Sequence, residues 1–318
     1  MGAVEYDFLS GSFSCLEDDG WARSDQTFNN ASRVDKDVDK GDLILKDLGF
    51  YQVPFFRELH QKGAYFISRL RAGSSLYNQE KRMDLASLIK DNANDYSLQE
   101  YSVSIGNNKK ERSDLGPVRL ILEKVPTAVY EQKMKRTKTL CASKGKQPSK
   151  EQVLWNQYNI FITNVPPILL SVGQVRSLYR LRWQIELLFK AWKSIFQIDQ
   201  VKPMQLYRFQ CLLWGALILV LMFMPLICFF KHHFWQEKQR EVSEWKMLLW
   251  LKTHIRLLVF SIWRKTKSYL AFARKVYKQI VKDGLKEKRK NEKRFDSRLP
   301  FEILLLLSLT AMSYMIQF

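Results

Sequence analysis

The stretch at positions 178–196, LYRLRWQIELLFKAWKSIF, constrains the fold of this chain more than any other. On a helix at 100° per residue, Tyr179, Arg182, Glu186 and Lys193 fall within a stripe about 60° wide. Large apolar side chains fill the adjoining sector, which is broad enough to bury against a sheet. These apolar residues are Leu178, Leu181, Ile185, Leu188, Phe189, Trp192, Ile195 and Phe196. The sequence therefore predicts an amphipathic helix whose polar stripe carries one phenol, two cations and one carboxylate.

This polar stripe has two interpretations. In the first, Arg182 and Glu186 form an ordinary ion pair between residues four apart on a helix surface. In the second, the spacing Y-x2-R-x3-E-x6-K is a functional signature, since it resembles that of the DDE transposases of the IS-4 insertion-sequence family. The surrounding YRLRWQIELLFKAWKS is most similar to the IS-231-like branch of that family. The resemblance implies an RNase H-like fold in which Glu186 is the third catalytic carboxylate.

A second block, around Asp47, carries the same resemblance. Asp42–Asp47 is typical of a short apolar strand, Val53–Gln61 of a helix and Ala64–Leu70 of another strand, which together predict a β-α-β unit. This pattern places Asp47 at the carboxyl end of a strand, where open α/β sheets bind ligands. By itself Asp47 suits a turn or a helix cap better. The segment DLGFYQVPFFRELHQKGAYFISRLR, however, resembles the family's second catalytic block, which makes Asp47 its second aspartate.

The resemblance also implies a reaction and its partners. In the family, two divalent cations hold the attacking and leaving oxygens of a phosphodiester transfer, and carboxylate oxygens suit Mg²⁺ or Mn²⁺. Asp47 and Glu186 are accordingly expected to be catalytic metal ligands, while Tyr179, Arg182 and Lys193 are expected to bind DNA phosphates. The implied DNA partners are the terminal inverted repeats of a transposon and its target, held by a dimer in a synaptic complex.

The family's first catalytic aspartate precedes the hairpin that Val4–Leu16 matches. The chain starts at Met1, so that aspartate and its strand are expected to be absent. Asp7 is the nearest substitute, but it belongs to the predicted hairpin and would run antiparallel to the strand it would replace. The sequence therefore predicts an N-terminally truncated transposase with little or no strand-transfer activity.

The remaining pattern divides a predicted α/β protein into four regions. An RNase H-like core, with a mixed sheet and flanking helices, occupies residues 1–71 and 159–230. Residues 72–158 form a β-rich insertion that contains a strand pair and then the basic helix Thr127–Lys146, and the resemblance implies that this insertion contacts DNA. Residues 231–318 form a basic helical C-terminal region.

The charge distribution indicates the kind of binding partner, and the cysteine content indicates the cellular compartment. The net charge is +19, and residues 1–50 carry eleven acidic and five basic side chains, whereas residues 231–298 carry seven and twenty. Such a basic region suits a polyanion, either nucleic acid or an anionic membrane face. Four cysteines without metal-ligand spacing are typical of a reducing compartment, and an N-terminus without an apolar leader does not indicate secretion. The cytoplasm is therefore expected, and the resemblance implies that it is bacterial.

One apolar segment, Cys211–Phe230, has twenty residues without a charge, which is long enough to span a bilayer. A buried core helix is the other interpretation, and it is favoured because the family also has an apolar helix after its signature helix. Three functional classes therefore stay open: a transposase defective in chemistry, a non-catalytic DNA-binding fragment, and a small membrane-anchored protein.

Overall fold

A computed structural model divides the chain into two compact units. The first unit comprises Met1–Glu5, Cys15–Arg182 and Arg298–Phe318, and the second comprises Tyr6–Ser14 and Trp183–Ser297. The residues that the structure describes are 4–7, 13–16, 38–78, 81–90, 98–107, 112–183, 186, 190, 193–195, 205–263, 266–286 and 314–317.

The strands within these described residues form one mixed sheet. They are β1 (Val4–Asp7), β2 (Phe13–Leu16), β3 (Leu43–Lys46), β4 (Tyr65–Arg69), β5 (Ser75–Asn78), β6 (Lys81–Met83), β7 (Leu98–Asn107), β8 (Arg112–Lys124), β9 (Tyr158–Thr163) and β10 (Tyr314–Gln317). Their order is β2-β1-β10-β3-β4-β9-β8-β7-β5-β6. β10 and β4 pair with β3 in parallel, and the pairs from β4 through to β6 are antiparallel. The predicted α/β class with a mixed sheet is confirmed.

Helices flank the sheet in the first unit. They are α1 (Val53–Gln61), α2 (Leu85–Lys90), α3 (Thr127–Ala142), α4 (Lys150–Gln157) and α5 (Val172–Tyr179). The β-α-β unit forms where the sequence predicts it, because α1 begins with a proline in its first turn and buries its apolar face on the sheet. The rings of Phe56 on α1 and Phe66 on β4 lie 4.5 Å apart. Gly63 supplies the positive φ of 74° at the turn into β4.

The strands of the predicted insertion extend the same sheet. The predicted strand pair is present as β7 and β8, which pair antiparallel from Leu98↔Glu123 to Asn107↔Arg112. β8 also pairs with β9, which the sequence assigns to the second part of the core. The boundaries at residues 71/72 and 158/159 stay predictions, since the strands before and after the first lie in one sheet and the second falls inside β9.

The last strand lies within the predicted basic helical region. β10 lies between β1 and β3, and its register with β3 runs from Tyr314↔Leu43 to Gln317↔Lys46. The region at residues 231–318, predicted to be basic and helical, thus also contains a strand at these four residues. Hydrogen bonding to a strand near the other end of the chain decides their conformation, and a local pattern carries no sign of it. β1 and β2 are neighbours, as the predicted hairpin requires, while the residues of its turn lie outside the described ones.

The second unit is helical within its described residues. Its helices are α6 (Leu206–Lys238), α7 (Glu244–Thr253), α8 (Ile255–Trp263) and α9 (Thr266–Gln279). Ser243 caps α7, because its hydroxyl accepts a hydrogen bond from the Lys246 backbone N–H at 3.5 Å. The Lys231 ammonium on α6 pairs with the Glu244 carboxylate on α7. Most of the described residues from 206 to 279 are thus helical, while residues 287–313 lie outside the described ones.

α6 contains the predicted apolar segment Cys211–Phe230. By length and composition α6 could cross a membrane, although core helices of soluble proteins share these properties, and 33% of its most apolar window is buried. Its buried side chains include Val220, Phe223, Met224 and Ile227, and its exposed ones include Leu212, Ile218 and Phe229. α6 thus has both buried and exposed apolar side chains, and the interpretation as a core helix stays a prediction.

Candidate functional site

Asp47 lies directly after the buried strand β3 and faces an arginine. Its backbone carbonyl accepts a hydrogen bond from the Phe50 N–H at 3.1 Å, which closes a short 3₁₀ turn. Its carboxylate makes no capping hydrogen bond to this turn. Instead, Oδ1 lies 3.3 Å from a guanidinium nitrogen of Arg182, and the two side chains are 33% and 17% exposed. Among the described residues, Asp47 thus acts as an ion-pair partner and not as a helix cap.

A second arginine stands beside Asp47 in the sheet. β3 and β4 run in parallel with Lys46 opposite Ser68, so the next residues, Asp47 and Arg69, reach the same level. Side chains alternate along both strands, which places Asp47 and Arg69 on the same face of the sheet. The sequence prediction did not single out Arg69. The alternation in YFISR after the predicted helix was the signal that could have identified it.

Tyr179 is the most buried member of the site. Its ring lies edge-on to Phe161 of β9 at 5.2 Å, and the Arg182 guanidinium carbon is 5.8 Å from its ring centroid. Burial raises the pKa of Tyr179 to about 12, against the opposing effect of the Arg182 charge. The phenol is therefore protonated at neutral pH and can donate a hydrogen bond. Its buried hydroxyl makes no hydrogen bond within the described residues.

The helix that carries Tyr179 is held at its start by its own capping residues. Ser171 and Gln174 form a capping box, and the Gln174 amide oxygen accepts from the Ser171 N–H at 2.8 Å. Just upstream, the Asn164 side chain accepts from the Phe66 N–H and donates to the Ala64 carbonyl, both at 2.8 Å. These bonds fix the end of β9 against β4 and set where α5 begins.

The Arg119 side chain, on β8, holds the loop between β9 and α5 by hydrogen bonds to its backbone. One of its terminal nitrogens donates to the carbonyls of Val165 at 2.9 Å and Leu170 at 2.8 Å. Its Nε and other terminal nitrogen donate to the Glu100 carboxylate at 2.5 and 3.0 Å. A single buried guanidinium therefore ties both ends of the loop to the β7–β8 pair, and sequence reasoning missed it.

The predicted continuous helix over residues 178–196 is interrupted. α5 ends at Tyr179, and a turn at Arg180–Leu181 separates it from the helical conformation at Arg182. The Leu181 N–H bonds the Leu178 carbonyl at 2.9 Å, a three-residue spacing that is tighter than the α-helical one. The helix is therefore not continuous, but residues three apart lie on the same side of so tight a turn, and Tyr179 and Arg182 stay next to each other.

Glu186 and Lys193 belong to the second unit. Both have helical conformation, Glu186 is half-buried and Lys193 is exposed. The described members of the predicted apolar face, Leu178, Leu181 and Ile195, are buried. Its other members, Ile185, Leu188, Phe189, Trp192 and Phe196, lie outside the described residues. The structure therefore brings together Asp47, Tyr179 and Arg182, whereas Glu186 and Lys193 are described within the second unit alone.

The described part of the site does not fit a two-metal centre. Within the described residues, no three His, Cys, Asp or Glu side chains come close enough together to hold a metal ion. The single carboxylate of Asp47 is instead paired with Arg182 and flanked by Arg69. Two guanidinium groups and a buried phenolic donor around one carboxylate leave one positive charge in excess. Such an arrangement suits an anion with several oxygens, such as a phosphate group.

Comparisons with known proteins agree on one family. A family model described as "Transposase DDE domain" matches residues 24–222. The transposase for insertion sequence element IS1151 of Clostridium perfringens is 29% identical over 96% of this chain and 66% of its own length. The transposase for IS231F of Bacillus thuringiensis subsp. israelensis is 26% identical over 91% of this chain and 63% of its own length.

One further relative matches only about a third of this chain. The putative transposase InsL for IS186A of Escherichia coli K12 is 35% identical over 32% of this chain and 28% of its own length. The chain spans 63 to 66% of the length of the IS231F and IS1151 transposases. No solved structure matches the chain.

Proposed function

Because this chain belongs to the transposase DDE domain family, we propose that it binds DNA and has little or no strand-transfer activity. Its site in the first unit binds phosphates of insertion-sequence DNA through Arg182, Tyr179 and Arg69. The observation that carries the proposal is the buried Tyr179 hydroxyl, which makes no hydrogen bond within the described residues, beside the Arg182–Asp47 pair.

The chemistry of the three side chains supports phosphate binding. Guanidinium groups present several donors in a fixed plane that matches the oxygens of a phosphate. A buried polar group without a partner costs about 1–3 kcal/mol, so an oxygen that accepts from the Tyr179 hydroxyl recovers part of that cost. Arg182 can pair with Asp47 in the free protein and with a phosphate in the complex, because its guanidinium has donors to spare.

The surroundings of the Asp47 carboxylate support the part of the proposal that expects little or no strand-transfer activity. The family uses divalent metal ions, and Asp47 and Glu186 remain the ligands that the resemblance assigns, with Mg²⁺ or Mn²⁺ as the expected ions. The Asp47 carboxylate lies 3.3 Å from the Arg182 guanidinium, whose positive charge offsets the negative charge that would attract a metal ion. We therefore expect weak metal affinity and derive no reaction step through a metal at this site.

The identity of the DNA and of any protein partner is proposed from the relatives. The IS1151 and IS231F relatives are transposases for insertion sequence elements. We propose that the DNA bound is the terminal inverted repeat of such an element, with Lys193 as a further phosphate contact. Target DNA and a synaptic dimer belong to the same proposal, as does a location in the bacterial cytoplasm.

Fluorescence anisotropy with labelled duplex DNA tests binding. The duplex carries the inverted repeat of the element that encodes the chain, and a scrambled duplex serves as the sequence control. We expect affinity to fall steeply with salt, and the Arg182→Gln variant to bind about tenfold more weakly, because one phosphate contact releases about one counterion. Arg57→Gln, an exposed cation on α1, is the matched control. Absence of binding at low salt would refute the DNA-binding half of the proposal.

A nicking assay with the same duplex tests the chemistry. In Mg²⁺ or Mn²⁺, we expect no cleaved or joined products from the chain. Metal-dependent products that disappear in the Glu186→Gln variant would show that the chain is active and that the second half of the proposal is wrong.

A membrane-anchored protein is the second candidate, and one observation favours it. α6 is long and apolar enough to cross a bilayer, and Leu212, Ile218 and Phe229 are exposed on it. Separation of cell membranes from the soluble fraction without detergent distinguishes the two candidates. Recovery of the chain in the soluble fraction rules out the anchor, and recovery in membranes that resists a carbonate wash supports it.

A further inference from the structure

Glu123 is a buried carboxylate near the end of β8, and its side chain is 10% exposed. One terminal nitrogen of Arg176 on α5 lies 2.5 Å from its Oε1. Its Oε2 accepts a hydrogen bond from the Asn159 amide on β9 at 3.2 Å. Each carboxylate oxygen therefore faces a donor, and the two donors hold the side chain in one orientation between β9 and α5.

The strand register places Glu123 on the same face of the sheet as the site at Asp47. Phe161 of β9 stands opposite Arg69 of β4, and Glu123 stands opposite the residue two positions before Phe161. Residues paired across strands, and residues two apart along a strand, point to the same face. Tyr179 of α5 rests on this face, edge-on to the Phe161 ring at 5.2 Å. All of these residues lie in the first unit, so Glu123 and the site share the surface on which α5 packs.

The contact with Glu123 holds the end of α5 that carries Tyr179. The capping box at Ser171 and the Arg119 hydrogen bonds to the preceding loop hold the start of the helix. Tyr179 is the last residue of α5, about 12 Å further along the helix axis. Arg176 lies about one turn before Tyr179, so its pairing with Glu123 acts on the part of α5 that leads into the site.

Stability alone does not account for a charged pair at this position. Removal of two charges from water costs free energy that their attraction only partly returns, and apolar residues of similar volume often stabilise a protein equally well. Val175 and Leu178 of α5 are already buried. Apolar contact is non-directional, whereas ion pairs and hydrogen bonds require a particular geometry. The Glu123–Arg176 pair therefore adds a defined position for α5 more than it adds stability.

The charge of Glu123 also acts on the turn that leads to Arg182. Arg180 is the C-cap of α5 and lies one turn after Arg176. Burial lowers the pKa of Arg180 and the charge of Arg176 lowers it further, whereas the charge of Glu123 raises it. Glu123 thus offsets the repulsion between two arginines on consecutive turns, which would otherwise act on the turn that positions Arg182.

We propose that Glu123 is a positioning residue of the phosphate-binding site. Through Arg176 it fixes the end of α5, so that the Tyr179 hydroxyl and the Arg182 guanidinium face the same phosphate. Glu123 carries a negative charge and contacts no phosphate itself. This inference rests on the proposed function, since it adds a residue that acts on the same site.

The Glu123→Gln variant tests the proposal, because two explanations predict opposite effects. The change removes one negative charge, so electrostatics alone predicts tighter DNA binding. A positioning role predicts about fivefold to tenfold weaker binding, since residues in contact commonly couple by this amount. The slope of log affinity against log salt should also fall by about 0.9 for one lost phosphate contact. Fluorescence anisotropy with the labelled duplex measures both quantities, and unchanged or tighter binding would overturn the proposal.

Two further variants control for charge and for the pairing itself. Glu151→Gln removes one negative charge at an exposed residue in the first turn of α4, and it should bind DNA at least as tightly as the unchanged chain. Arg176→Lys keeps a positive charge beside Glu123 and should retain most of the affinity. An equal loss in Glu151→Gln and Glu123→Gln would mean that loss of any carboxylate has this effect, and the proposal would be wrong.

Combination with Tyr179→Phe shows whether Glu123 acts through the site. Two changes that disrupt one interaction are not additive, so Glu123→Gln should weaken binding only about twofold in the Tyr179→Phe chain. Additive losses would contradict a positioning role.

Hydrogen exchange without DNA follows α5 directly. Relative to the unchanged chain, Glu123→Gln should speed exchange at residues 176–182 more than at β3. Equal acceleration throughout the first unit would indicate a loss of stability alone, and the proposal would be wrong.

The Arg182→Gln variant separates this inference from the proposed function. If Arg182→Gln weakens DNA binding and Glu123→Gln does not, Glu123 has no positioning role, while the proposed function stands. If the unchanged chain binds no duplex at low salt, both are wrong. Weaker binding in both variants, with Glu151→Gln unaffected and exchange faster at the end of α5, supports the positioning role.

Discussion

The guanidinium of Arg182 lies 3.3 Å from the carboxylate of Asp47, across a turn that ends the helix before it. The sequence predicted that one residue would bind a metal and the other a phosphate. Their pairing brings these two functions into competition, because the Arg182 charge opposes a cation at Asp47 and the Asp47 charge opposes an anion at Arg182.

Tyr179→Phe is expected to make the protein more stable and its DNA binding weaker. The hydroxyl is buried without a hydrogen bond among the described residues, so its removal should raise the free energy of unfolding by about 1 kcal/mol. The same change removes a donor to phosphate. Urea denaturation and anisotropy measure the two effects, and Tyr207→Phe, at a tyrosine that is 80% exposed, is the control. A loss of stability in Tyr179→Phe would mean that the hydroxyl has a partner in the folded protein.

Arg119→Met is expected to loosen the loop that leads into α5. The change leaves Glu100 without its partner and frees the carbonyls of Val165 and Leu170, which should cost about 3 kcal/mol of stability. Hydrogen exchange should speed up at residues 165–170 more than elsewhere in the sheet. Arg82→Met, at an exposed residue of the edge strand β6, should change stability by less than about 0.5 kcal/mol. Uniform acceleration across the whole first unit would argue against a local role.

Lys133 is expected to make stability depend on pH above neutrality. Its pKa is lowered to about 8 in the folded protein from 10.5, chiefly by burial. Between these two values the unfolded chain binds more protons, so the contribution of Lys133 to stability rises as the pH increases from about 8 to 10.5. The unfolding free energy of the unchanged chain should therefore increase relative to Lys133→Met over that range. Lys135→Met, on the exposed side of α3, should show no such trend, and a flat difference for Lys133 would contradict the prediction.

Ile316→Pro is expected to disrupt the sheet beside Asp47. β10 pairs with β3 on one side and neighbours β1 on the other, and proline removes a ladder N–H and is poorly tolerated in internal strands. Stability should fall and the amides of Leu43–Lys46 should exchange faster. Ile316→Val keeps strand propensity and should behave like the unchanged chain. Unchanged exchange in β3 after Ile316→Pro would mean that the pairing with β10 contributes little.

Local patterns predicted the elements that depend on local interactions. The β3-α1-β4 unit follows from apolar runs, a proline near the start of the helix and a glycine at its end, and its predicted bounds differ from the observed ones by one residue at most. The β7–β8 pair and α3 were likewise predicted. The spacing of Tyr179, Arg182, Glu186 and Lys193 identified the family, because the identity of residues at fixed intervals needs no coordinates.

Contacts between distant parts of the chain decided the rest. Arg69 lies beside Asp47 only because β3 and β4 pair in one particular register. Arg119 stabilises the loop before α5 because it donates to the carbonyls of Val165 and Leu170, which are distant from it in the sequence. The turn at Arg180–Leu181 departs from a helical pattern that continues through it in the sequence. β10 becomes a strand through hydrogen bonds to β3. Side-chain periodicity reports which face of an element is buried, whereas register and pairing depend on backbone groups that are nearly identical at every residue, so only the tertiary structure selects their partners.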